Sequence, residues 1–118
     1  MMTEADIILT PLPQADGQTK LRPALILRIM PGYGDYLVCG ISSNLKQNIE
    51  NFDVIIRKND SDFGQTGLIK DSIFRLSFLA VLPSEMIVGS IGKVSKNVHV
   101  ELLKRLSKYL TKETTPGL

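Results

Sequence analysis

Residues 23–30 read Pro-Ala-Leu-Ile-Leu-Arg-Ile-Met, a stretch of β-forming hydrophobes interrupted only by Arg28. A run with so little polar alternation fits a strand buried on one face and nearly so on the other. Its neighbours must come from shorter pieces. Residues 7–9, 36–41, 52–56, 68–76, 78–82 and 86–94 each hold apolar or alternating side chains between turn-forming Pro, Gly, Asn and Asp. Proline has a fixed φ and no N–H, so Pro11 and Pro13 are expected to stop the first strand and Pro23 to begin the second. Only the last third changes period. Val98, Leu102, Leu106 and Leu110, with Leu103 and Tyr109 beside them, recur at helical spacing behind Ser95 or Asn97 as a cap. The expected fold is mainly β with α, a small, strongly bent antiparallel sheet or barrel covered by one C-terminal helix. At 118 residues there is room for one core; residues 1–111 are expected to form a single domain and 112–118 a flexible tail.

Several chemistries lack their residues. The single Cys39 lies in an apolar run and is expected to be a buried thiol, with no internal disulfide to make. One histidine, His99, and no Cys/His cluster leave no zinc site, and no metal or other cofactor is expected. Gly64-Gln65-Thr66-Gly67 is followed by Leu68-Ile69-Lys70, which reads as a strand and not as a phosphate loop. His99, on a distant helix, is a poor base for a serine hydrolase. The N-terminus lacks a basic-then-apolar leader and no apolar run reaches membrane-span length, so a cytoplasmic protein without membrane contact is expected. A net charge of +2 permits nucleic-acid binding only through a local patch.

Such a patch can be assembled. The residue before a proline is held extended, so Arg22 leaves the chain in a defined direction where a polar, glycine-bearing loop meets the apolar strand. Lys20 lies just before it. Ser42, Ser43 and Asn44 follow the strand 36–41 and can reach the same mouth, and Arg75 shares a strand face with Ile73. Blander roles exist for each: Arg22 in a surface ion pair, Ser42 and Asn44 capping the turn at 45–49, Arg75 paired with Asp71. Guanidinium forks match phosphate oxygens, and RNA carries its own nucleophile, so a protein need only align the strand, neutralise charge and move a proton. No general base is visible for that last task.

The sequence resembles the MazF/PemK (Kid) family of bacterial type II toxins. The resemblance rests on Asp6-Ile7-Ile8-Leu9, on Asp16-Gly17-Gln18 followed by Leu21-Arg22-Pro23-Ala24-Leu25-Ile26-Leu27, on Gly40-Ile41-Ser42-Ser43-Asn44, and on residues 67–76, with 91–110 also fitting. It implies a compact SH3-like barrel, a homodimer, and sequence-specific, metal-independent endoribonuclease cleavage of single-stranded RNA, restrained by a cognate antitoxin protein. It also implies catalytic roles for Arg22, Ser42 and Arg75, with Ser42 orienting the phosphate, and RNA contacts from Gln18, Thr19, Lys20, Ser43 and Asn44. Departures from the family pattern are Ser42 for a threonine, Ala5 for a usual glycine, the apolar Phe78-Leu79-Ala80-Val81-Leu82 where the family often has a polar Gln and an Arg-Thr pair, and Ser77 for an acidic partner of the later arginine found in some members. The competing readings are a catalytically inactive RNA- or protein-binding barrel, a gyrase-binding toxin of related fold, and a structural domain whose arginines sit in surface ion pairs.

Overall fold

The computed structural model describes residues 2–13 and 16–114. Among them, strands β1 (Asp6–Pro13), β2 (Thr19–Ile29), β3 (Tyr36–Ser42), β4 (Val54–Ile56), β5 (Ser72–Leu82) and β6 (Gly89–Lys93) precede one helix, α1 (Lys96–Leu110). The strands form a single antiparallel sheet in the order β4-β5-β3-β2-β1-β6, curled into a half-barrel. The apolar run predicted from the sequence lies in its middle, and Ala24, Leu25, Ile26 and Leu27 are all buried because both faces are covered. On one face Ile7, Leu25, Leu27, Phe74 and Leu76 meet Leu102 and Leu106 of α1. On the other, Ile8, Ala24, Ile26, Val38 and Leu82 pack under Met2 and Ile87.

Two boundary expectations are corrected. β1 runs through Pro11 to Pro13, and β2 starts at Thr19 rather than Pro23, so Lys20 and Arg22 stand inside a strand. The proline rule gave the wrong stops because the three prolines fall in pairs of one parity: Leu9↔Pro23, Pro11↔Leu21 and Pro13↔Thr19. Alternate pairs of an antiparallel ladder exchange no N–H···O bonds, and a proline there forfeits nothing. Of the loop predicted before Arg22, residues 14 and 15 lie outside the described residues. The second correction joins two predicted strands, 68–76 and 78–82, into β5, which begins at Ser72 and carries an irregularity at Ser77.

Ser95 caps α1, its Oγ accepting from Val98 N at 3.2 Å. The apolar stripe ends sooner than its period suggests, for Tyr109 and Leu110 are exposed. His99 Nε2 lies 2.8 Å from the carbonyl of Leu27; a carbonyl only accepts, so Nε2 carries the proton. Leu27 is the extra residue where the β2–β3 register shifts, and His99 satisfies its oxygen, a structural role. Of the predicted tail, residues 115–118 lie outside the described residues. Ala5, where the resembled family carries glycine, holds φ +77°, a left-handed conformation that costs an L-residue about 1 kcal/mol.

Cys39 is fully buried, as expected, and burial pushes its thiol up to about 12, with the nearby charge of Asp53 acting in the same direction. The fold therefore favours the protonated thiol. Its contribution to stability is complete below the unfolded thiol's value of 9.0 and is lost as pH climbs toward 12. Iodoacetamide at about pH 8 is expected to leave the native protein unlabelled and to label it readily in denaturant. Labelling of the native protein at the denatured rate would show the thiol is not sequestered.

Candidate functional site

Sheet register brings the predicted residues together. Arg22 lies two residues before Ala24 on β2; Ala24 pairs with Gly40 on β3, and Gly40 with Arg75 on β5. Ser42 lies two residues beyond Gly40, opposite Ile73. Because side chains alternate along a strand, Arg22, Ser42 and Arg75 occupy one face of three adjacent strands, the face that does not carry α1. There they line a cleft of about 460 Å³ with Leu12, Gly40, Ile41, Ser43, Asn44, Gln47 and Phe78.

Its shape depends on a bulge. Cys39 pairs with Leu79 but the next residue, Gly40, pairs with Arg75, so Leu76, Ser77 and Phe78 are three extra residues on β5. Bulges re-aim side chains, and this one carries Phe78 over Gly40: a Cβ at position 40 would lie 3.2 Å from the Phe78 ring. The bulge also frees the N–H of Leu76, which Asp53 accepts through Oδ1 at 2.9 Å, while Asp53 Oδ2 accepts from Ile49 N at 2.9 Å. Buried Asp53 thus ties the chain before β4 to the kink beside Arg75.

Among the described residues two arginines and no carboxylate line the cleft, and Arg75 Nε is buried without a hydrogen-bond partner among them. Two guanidinium groups in the lining make an acceptor-bearing anion a fitting occupant. The alternative pairing of Arg75 with Asp71 is not made, since Asp71 instead faces Arg57 at 3.6 Å and accepts from Lys58 N at 2.7 Å. Ser42 Oγ donates to Gln47 Oε1 at 2.7 Å and accepts from Asn44 N at 3.1 Å. Asn44 does cap the following 3-10 turn, Leu45–Gln47, its Oδ1 accepting from Lys46 N at 3.2 Å.

Other expected contacts stand apart. Gln18, Thr19 and Lys20 do not line the cleft; Lys20 shares the face of Arg22 farther along β2, Thr19 has the opposite parity, and the N–H of Gln18 donates to Asp16 Oδ1 at 3.0 Å. Ser77 lines a separate groove with Phe52, Tyr109 and Arg105. Gln47 and Phe78 were not singled out by the sequence; both reach the cleft through a turn or bulge that spacing does not reveal. Among the described residues no three His, Cys, Asp or Glu side chains come together as metal donors, and no helix is long and apolar enough to cross a membrane.

The chain is thus a six-stranded, curled antiparallel half-barrel with one C-terminal helix on one face and an arginine-lined cleft on the other. Comparison places the chain more narrowly. A family model for PemK-like, MazF-like toxins of type II toxin-antitoxin systems matches residues 3–110, and the chain belongs to that family. Two solved structures share its fold. The Mycobacterium tuberculosis toxin MazF-mt6 is 18% identical, with a TM-score of 0.67 over 92% of this chain and 99% of that one. An endoribonuclease in complex with its cognate antitoxin, from a mycobacterial species, is 13% identical, with a TM-score of 0.68 over 98% of this chain and 100% of that one. No curated protein sequence matches the chain.

Proposed function

We propose that the chain is an endoribonuclease that cleaves single-stranded RNA without a metal, by attack of a 2′-hydroxyl on the adjacent phosphorus. The observation that carries the reading is the cleft itself: Arg22, Ser42 and Arg75 share one sheet face, and no carboxylate lines it among the described residues. Family membership supports the same activity. In the reaction the 2′-oxygen bonds to phosphorus as the bond to the 5′-oxygen breaks, leaving a 2′,3′-cyclic phosphate. Charge builds on the equatorial phosphoryl oxygens, where Arg22 and Arg75 supply fixed donors that need no reorganisation. Arg22 can also hand a proton to the departing 5′-oxygen, and water restores it.

A cognate antitoxin is the proposed partner, supported by the toxin-antitoxin family and by fold likeness to an endoribonuclease in complex with its cognate antitoxin, and a homodimer is the proposed working form. Incubation of the purified protein with single-stranded RNA in excess chelator tests the activity. Discrete fragments ending in cyclic phosphate are expected; intact RNA after prolonged incubation with folded protein would overturn the proposal.

A further inference from the structure

A hydroxyl group has one proton and two lone pairs, and at Ser42 most of that capacity is already committed. The proton goes to Gln47 Oε1 at 2.7 Å, the usual length of an O–H···O bond. One lone pair takes the N–H of Asn44 at 3.1 Å. What is left for a molecule in the cleft is a single acceptor site. The oxygens of a phosphodiester carry no proton at neutral pH and cannot use it. The 2′-hydroxyl can, because it must orient its own O–H away from the phosphorus that its lone pair attacks.

Building on the ribonuclease reading, we propose that Gln47 is a positioning residue that commits the Ser42 hydroxyl to the nucleophile of the reaction rather than to the phosphate. The cleft then divides by hydrogen-bond sense: Arg22 and Arg75, donors only, face the acceptor-only phosphate, and Ser42, turned into an acceptor, holds the 2′-O–H. Ser42 takes no proton in this scheme; it only aligns the group, and the 2′ proton passes to water.

Local geometry accounts for the placement of Gln47. Asn44 caps the 3-10 turn, and Gln47 N donates to the Asn44 carbonyl at 3.0 Å, so the tight turn swings residue 47 back over the end of β3. The arrangement also bears on the serine itself. Serine lacks the methyl group that restricts the torsion of threonine, and its rotamer is otherwise loose. Two hydrogen bonds hold Ser42 where a threonine would be held partly by its own shape.

The test is a double-mutant cycle read as kcat and KM on an RNA oligonucleotide spanning a cleavage site of the wild-type protein. Gln47→Ala is expected to lower kcat about tenfold and to leave KM within about twofold, since the phosphate contacts persist. In a Ser42→Ala background the same change is expected to have no further effect, because Gln47 acts only through that hydroxyl. Gln47→Glu, which still accepts from Ser42, should retain kcat while raising KM through repulsion of the RNA. Unchanged kcat in a Gln47→Ala protein that melts like wild type overturns the inference and leaves the ribonuclease reading intact, and so does an effect that persists in the Ser42→Ala background. Absence of cleavage by wild type overturns both.

Discussion

Arg22→Ala is expected to lower cleavage of single-stranded RNA at least about a hundredfold, the loss typical when a fixed donor to a developing oxyanion is removed. Its melting temperature should stay within about 2 °C of wild type, because the side chain is exposed and outside both apolar clusters. Lysine is expected to restore little, since a point charge does not reproduce the planar fork that spans two phosphoryl oxygens. Cleavage by Arg22→Ala at the wild-type rate would remove Arg22 from the mechanism and leave the cleft a binding surface. The readout is initial rate on a fixed oligonucleotide, beside a thermal melt of the same preparation.

Gly92→Ala is the largest expected loss of stability, about 3 kcal/mol, or a fall in melting temperature on the order of 10 °C. A Cβ at position 92 would overlap the backbone of Gln65 and Thr66, and backbone cannot rotate aside as a side chain can. The contact is reciprocal. Gly67, at φ +74°, brings its own α-carbon against the carbonyl of Ile91. Together the two glycines let the 3-10 turn Gly64–Thr66 dock on β6, bridging the segment before β5 to the far edge of the sheet. Gly89→Ala in the same strand is the control, since a Cβ there meets nothing within 4 Å, and it should melt near wild type. Equal melting of the two variants would mean that the docking does not bear on stability.

Much of the site could be read from the chain because the relevant rules are local. The apolar run 23–30 marks the strand that carries Arg22, and the apolar run 36–41 marks the strand that the hydroxyls at 42–43 follow. What escaped depends on relations between strands. Pro11 and Pro13 look like stops unless the pairing parity is known, and parity is set by the partner strand. Ser77 reads as a break between two apolar runs, whereas three extra residues on β5 carry the strand through and lay Phe78 over Gly40. Asp53 looks like any loop carboxylate until the bulge presents it with a free N–H at Leu76. Gln47 is five residues from Ser42, a distance that only the capped turn closes.

The pairing of β1 with β6, Ile7 with Gly92, joins residues from opposite ends of the domain. Contacts of such long sequence separation form late and slow the folding of sheet proteins. During synthesis Arg22, Ser42 and Arg75 leave the ribosome well before Gly89, so a nascent or prematurely terminated chain carries all three groups without the strand that pairs with β1. The edge of β1 is covered only when β6 has been made. A product truncated before β6 is therefore expected to leave the edge of β1 unpaired and to aggregate more readily than the full-length chain, a difference that light scattering would read.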